Sequence, residues 1–330
     1  MFLKAIPELS EDLDLVSKEI GRLADLNRKN DATGDILNTV LSTSGKGYRP
    51  MLLLLVSRLG PSAEATRQRL CRLGALVEYV HMASLVHDDI VDDSPKRRGA
   101  PTIQAKYGKD MAVFTGDLML SQVMQVLLED GLRESGLLIA HTLRDMCVGE
   151  ITQADHLYDC DTTVEQYYQT IFGKTASLFA TACKIGAAES GQSRDAIELL
   201  GEFGRHLGYL FQIRDDLRDF LPDTESDGKP VRQDFREGIL TLPVLYAIEN
   251  PRCKEGIQSL VERARSGQFV TGDAVELDTW IRRGNGFAMA VAEAEQNRKR
   301  ACALLEKLEK SPARDMLKEL LESLLLPDFS

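Results

Sequence analysis

The chain has 330 residues, 43% of them hydrophobic and 28% charged, enough to bury a large core with the composition of an ordinary globular protein. A formal net charge of −11 excludes the basic footprint that non-specific nucleic-acid binding requires, so no nucleic-acid partner is expected. No apolar run approaches the roughly 20 residues that a bilayer span needs.

In chain order, the N-terminus MFLKAIPELSEDLDLV turns acidic at once and lacks a secretory h-region. The six cysteines are scattered without C-x-x-C spacing and read as reduced core residues, so a cytoplasmic protein is expected. Leu9, Leu13, Val16, Ile20 and Leu23 fall at helical spacing. The run Met51–Val56 ends at Ser57-Arg58 and predicts a buried helix, and Leu70, Leu73, Leu76, Val77 and Val80 form the next stripe. Helical periods recur near 110–130, 134–159, 162–190, 194–221, 235–249, 285–309 and 312–325. Alternating Val/Ile/Thr strands are missing, and prolines sit mostly at breaks such as Arg49-Pro50, Gly60-Pro61 and Asn250-Pro251. The pattern predicts an all-α fold of ten or more helices in one domain over 1–330, with no linker and no repeat of solenoid period.

Two predicted helices end in aspartates: Asp88, Asp89 and Asp92 in HDDIVDD, and Asp215, Asp216 and Asp219 in FQIRDDLRDF. At about 100° per residue each D-D-x-x-D crowds one helix face, where like charges repel and the helix C-terminus disfavours anions. A solvated acidic face is the plain alternative. It is weakened by Leu85 and Val86 before the first cluster and by Leu210, Phe211 and Ile213 before the second. Hard oxygen ligands without a cysteine cluster suit Mg²⁺, and two such clusters can hold several ions with an anion between them.

Cations follow the same order. Gly45-Lys46-Gly47-Tyr48-Arg49-Pro50 places Lys46 and Arg49 three apart, Lys96, Arg97 and Arg98 follow the first acidic cluster, and Lys174 lies in Gly173-Lys174-Thr175. A P-loop would need Gly at 168, which is Tyr, and a preceding strand. His81 lies two helical turns before Asp88, where a satisfied core histidine is the plain reading. His87-Asp88 invites a metal phosphohydrolase reading, but that chemistry wants several metal-binding histidines and the chain has five in all.

Taken together, G-K-x-x-R-P at 45–50, the H-x-A-S-L-V-H-D-D-x-x-D ending at 92, R-R-G at 97–99, G-D at 116–117, G-K-T at 173–175 and F-Q-I-x-D-D-x-x-D at 211–219 resemble the trans-prenyltransferases, the isoprenyl (polyprenyl) diphosphate synthases. The later Asp234–Gly238 and Thr241-Leu242-Pro243 look like that family's D-L-x-x-G-K-x-T-L-P. The resemblance implies a helical bundle of the isoprenoid synthase type around a central elongation cavity. It also implies the substrates, isopentenyl diphosphate and an allylic diphosphate.

By the same resemblance, Asp88, Asp92 and Asp215 coordinate Mg²⁺, three ions in all, with Asp89, Asp216 and Asp219 in support. Arg97, Lys174 and Thr175 face the allylic substrate and Gln212 orients it. Lys46, Arg49, His81 and Arg98 bind the diphosphate of isopentenyl diphosphate. Three departures stand out: Gly47 where many members have Arg, Arg232 where Gly is common, and Ile239 in place of a frequent Lys. A class I terpene cyclase, which normally carries a different second metal motif, and a non-catalytic homologue, which would be marked by loss of an aspartate motif, are the remaining alternatives.

The resemblance also bears on product length. Residues just before the first D-D-x-x-D line the family's elongation cavity, and here they are the small Ala83 and Ser84. Gly149-Glu150-Ile151-Thr152-Gln153 resembles the G-E-x-x-Q of heptaprenyl-like members. A product longer than C20 is expected, with geranyl, farnesyl or geranylgeranyl diphosphate as the alternative. The family implies a homodimer or a pairing with a small partner subunit, and transient membrane contact for release of a long lipid product.

Overall fold

The computed structural model describes residues 7–26, 31–42, 45, 47–221, 232–327 and 329. These divide into two compact units, each assembled from separate stretches of chain.

The first unit comprises Met1–His141, Thr181–Gly201 and Glu309–Leu317. It holds α1 (Pro7–Asp25), α2 (Asp31–Ser42), α3 (Tyr48–Ser57), α4 (Arg67–Val91), α5 (Ile103–Tyr107), α6 (Lys109–Glu129) and the start of α7 (Arg133–Asp155). α3 is apolar all round and is buried from Arg49 to Ser57, as such a helix must be. α4 packs on α1, α3 and α6 and buries the whole stripe from Leu70 to Val80. The α1 stripe is less complete: Leu9, Val16 and Leu23 are buried, while Leu13 and Ile20 are half-buried. Asp12 is buried there too, where it accepts from Arg58 (2.9 Å) and Arg67 (2.6 Å).

The second unit comprises Thr142–Ala180, Glu202–Leu308 and Lys318–Ser330. Along it run the rest of α7, α8 (Val164–Ile171), a π-turn (Phe172–Ala176), the start of α9 (Ser177–Glu189), most of α10 (Arg194–Arg218), α11 (Gln233–Arg236), α12 (Leu242–Glu249), α13 (Pro251–Arg265), α14 (Thr271–Arg283), α15 (Gly286–Leu305) and the end of α16 (Pro312–Ser323). α12 is its core, buried from Leu242 to Ile248 against α13, α14 and α15.

The all-α expectation holds: the strands among the described residues are β1 (Lys96–Arg97) and β2 (Ala100–Pro101), an antiparallel pair within SPKRRGAP. Several details differ from expectation. The stretch 235–249 is not one helix: Gly238 takes φ 88 and Thr241 caps a new helix with Pro243 in its first turn, where a missing N–H costs nothing. Pro251 likewise opens α13 rather than merely ending α12, and α13 and α14 fill a region without a predicted helix. Of the cysteines, Cys71, Cys183 and Cys253 are buried, but Cys147 is exposed. α6 also corrects the reading of the apolar runs, since it is long and apolar enough to cross a bilayer, with 44% of that window buried.

Candidate active site

In the first unit, α4 carries Asp88, Asp89 and Asp92 to its C-terminus, where Asp92 is the capping residue. Asp89 is buried and accepts from Arg97 Nε at 2.9 Å and Nη2 at 2.8 Å, while Asp88 is half-buried and Asp92 exposed. The chain turns back at once: Ser94 N donates to Asp89 O (3.0 Å), Thr102 Oγ1 to Ser94 O (2.8 Å), and Gln104 Nε2 to both carbonyls. These donors satisfy carbonyls that a helix end leaves open, and they aim the β1–β2 turn so that Arg97 reaches back to the aspartates.

Arg98 and Gly99 sit at the tip with φ 52 and φ 80. A side chain at Gly45 would place its Cβ 2.9 Å from Arg98 Nη2, so the glycine makes room for the guanidinium. Gly47, at φ 62, then turns the chain into α3 and sets Arg49 in its first turn. Burial pushes the Arg49 guanidinium down to about 10, with Glu78 opposing the shift.

Glu78 escaped the sequence reading. It lies three residues before His81 on α4, is buried, and has its carboxyl raised by burial against the pull of Arg49 and Arg98. Of those two cations Arg49 is buried on α3, while Arg98 is exposed at the β1–β2 turn. Burial, then Arg49, Arg98 and Arg97, hold the His81 imidazole well below its usual range, so it is neutral at pH 7. Glu78, His81, Asp89, Arg97, Gly45 and Thr102 line one cleft. Lys46 lies outside the described residues. Ala83 is fully buried one turn before Asp88, and Ser84 Oγ donates to His81 O (2.9 Å).

In the second unit, α10 ends in Gln212, Asp215, Asp216 and Asp219. Asp215 is exposed, Asp219 half-buried and Asp216 buried. Gln212 Nε2 donates to Asp216 Oδ1 (2.7 Å), Tyr167 Oη donates to Asp216 Oδ2, and Thr175 Oγ1 donates to Gln212 Oε1. Burial pushes the Asp216 carboxyl up to about 7 against those hydrogen bonds. Half-buried Asp234 is raised well above the carboxylate range by burial and by Asp216 and Asp219.

The Gly173-Lys174-Thr175 triplet is the π-turn itself, a bulge of the kind found at functional sites. There Gly173 meets Gly149 of α7 so closely that a Cβ on Gly173 would lie 2.7 Å from Gly149 Cα. This crossing brings Lys174 Nζ to 3.4 Å from both Glu150 Oε1 and Gln153 Oε1. Lys174, Gln212, Asp216, Asp234, Ile239 and Gln153 share a second cleft.

Among the described residues, no three His, Cys, Asp or Glu side chains converge as a protein-only metal cage requires. Mg²⁺ rarely uses such a cage; it takes one or two carboxylates and completes its shell with water and substrate phosphate oxygens. The half-buried or exposed Asp88, Asp92, Asp215 and Asp219 are donors of that sort. The arrangement is therefore suited to anion binding through cations and through carboxylate-held Mg²⁺.

Residues 30–276 match the family described as Polyprenyl synthetase. The heptaprenyl diphosphate synthase component 2 of Geobacillus stearothermophilus is 33% identical over 321 residues, covering 97% of both chains. The chloroplastic solanesyl-diphosphate synthase 2 of Oryza sativa subsp. japonica is 35% identical, covering 96% of this chain and 80% of that one. A decaprenyl diphosphate synthase structure from Rhodobacter capsulatus superposes with a TM-score of 0.88 at 29% identity, covering 98% of this chain and 97% of the other.

Proposed function

Since the chain belongs to the polyprenyl synthetase family, it is a transferase, and we propose that it condenses isopentenyl diphosphate with an allylic diphosphate in a Mg²⁺-dependent, chain-lengthening reaction. The observation that carries this reading is on α4, where one helix brings Glu78 and His81 to a cleft that Arg97 also lines and carries the Asp88–Asp92 cluster at its C-terminal end. The cleft suits the diphosphate of isopentenyl diphosphate, held by Arg49, Arg98, His81 and Lys46. Asp88, Asp89 and Asp92 at the end of α4, and Asp215, Asp216 and Asp219 at the end of α10, are the carboxylates that would hold Mg²⁺ for the allylic diphosphate, three ions in all.

Bound Mg²⁺ supplies positive charge to the departing diphosphate. Lys174, fixed by Glu150 and Gln153, offers its ammonium to the same leaving group, and Thr175 and Gln212 form the polar chain that orients it. Neutral His81 donates a hydrogen bond without adding charge. The isopentenyl double bond attacks the allylic carbon, the carbon–oxygen bond to diphosphate breaks, and a proton lost from the adduct goes to the released diphosphate. Omitting isopentenyl diphosphate from an assay with an allylic diphosphate and Mg²⁺ should abolish conversion; conversion without it would instead identify a terpene cyclase.

A product longer than C20 is supported by the small side chain of Ala83 before the first aspartate motif and agrees with the long-chain names of the relatives. Ala83→Phe should shorten the product ladder by one or more isoprene units while circular dichroism shows an unchanged helix content. An unchanged ladder in a folded variant would remove Ala83 from chain-length control.

The single polyprenyl synthase domain is supported by α7, α9, α10 and α16, each of which contributes residues to both units. α6 exposes the apolar side chains Met111, Val113, Phe114 and Leu128, interleaved with Asp117, Ser121 and Gln125, and this mixed surface is the one offered to a second copy of the chain. Phe114→Glu should convert a dimer to a monomer in sedimentation analysis. A wild-type monomer would favour a separate small subunit, the arrangement suggested by the "component 2" relative. A cytoplasmic enzyme whose lipid product passes to a membrane belongs to the same proposal.

A further inference from the structure

Arg232 is the residue at which this chain departs most oddly from ordinary backbone chemistry. It takes φ 65, ψ 44, the left-handed region that glycine adopts freely and other residues adopt at a cost. It is also buried, 6% exposed, which an arginine tolerates only when its charge is paired. Its guanidinium meets those demands. Nε and Nη2 fork onto the carboxylate of Asp278 on α14, with Nε to Oδ1 at 2.9 Å. The guanidinium also lies 5.1 Å from the Phe220 ring.

The remaining contacts run to one residue. Arg232 Nη1 donates to Asp219 O (3.1 Å), Arg232 N approaches the same carbonyl (3.4 Å), and Gln233 N donates to Asp219 Oδ1 (3.1 Å). Asp219 caps α10, so its carbonyl is one of those that the helix leaves unsatisfied, and a cation there is favourable. Arg232 therefore fixes the main chain of Asp219, and its left-handed turn delivers the next N–H to the Asp219 carboxylate. Asp278 in turn holds the arginine by a bidentate pair that lysine cannot reproduce.

We propose that Arg232 and Asp278 form a positioning clamp that holds Asp219 ready for metal, so that residues on α14 tune the metal affinity of the α10 carboxylates. This rests on the reading of Asp219 as a metal-site carboxylate. The clamp touches neither substrate nor metal; it acts through the geometry of Asp219.

The test is Mn²⁺ binding in the presence of inorganic diphosphate, followed by loss of the free-Mn²⁺ electron paramagnetic resonance signal, with thermal melting alongside. Asp219→Asn is the reference. Arg232→Gly suits the φ of the site and so keeps the fold, yet it removes the clamp; Asp278→Asn unpairs it. Both should weaken Mn²⁺ binding about tenfold, the scale on which groups supporting a metal ligand act. Arg232→Lys should fall between them and wild type, and the Arg232→Gly/Asp278→Asn pair should be no weaker than the worse single variant. If Asp219→Asn weakens binding while Arg232→Gly and Asp278→Asn bind as wild type, the clamp is overturned. If Asp219→Asn itself binds as wild type, the metal reading of Asp219 fails, and the clamp with it.

Discussion

Asp88→Asn is expected to lower kcat by roughly 10²–10³-fold, the scale of removing one group that stabilises charge in a transition state. Asp88 is half-buried at the end of α4, and its carboxylate stands among like charges at a helix C-terminus. A helix C-terminus disfavours that charge, so the melting temperature should change little while activity collapses. A structural aspartate would show the reverse. Asp89→Asn is the informative contrast, because it strips the partner from Arg97, whose Nη2 lies 2.8 Å from Asp89 Oδ1, and should lower stability as well as activity. Steady-state kinetics at several Mg²⁺ concentrations, with melting curves, decide the matter. An Asp88→Asn enzyme with wild-type kcat at ordinary Mg²⁺ would remove Asp88 from the metal site.

Gly173→Ala should be the most damaging single-methyl change near the site. The added Cβ would lie 2.4 Å from Asp145 O and 2.7 Å from Gly149 Cα. Both obstacles are backbone and cannot swing aside, so α7 and the π-turn must move apart. Overpacking of this sort costs about 1–3 kcal/mol. The displacement carries Lys174 away from Glu150 and Gln153, and Thr175 away from Gln212, so kcat should fall together with the melting temperature. Lys174→Ala separates the two effects: it should lose activity with little change in melting. A Gly173→Ala protein that melts and turns over as wild type would show that the close crossing is not needed.

Much of the site could be read from the sequence because its chemistry is local. Both D-D-x-x-D sets lie within one helical turn and a cap, and α4 shows its apolar stripe from Leu70 to Val80 without help from elsewhere. What could not be read depends on partners distant in the chain. Glu78 looks like any polar residue until Arg49 is packed against it, and Arg232 looks like a misplaced surface charge until Asp278 is found 46 residues on. The π-turn at 172–176 is invisible to a 3.6-residue period, since one inserted residue leaves the stripes on either side intact. The break between α11 and α12 had a signal, Gly238 followed by Thr241-Leu242-Pro243, that a search for periodicity passes over. α6 is long and apolar enough to cross a bilayer although part of it is buried, a helix-long property that a search for unbroken apolar runs passes over.

Product analysis tests the central claim most directly. Purified enzyme is incubated with Mg²⁺, an allylic diphosphate and labelled isopentenyl diphosphate, and the products are dephosphorylated and sized. A ladder rising in five-carbon steps past C20, lost on chelation of Mg²⁺ or omission of either substrate, is the predicted result. Label that never enters a prenyl chain would contradict the account.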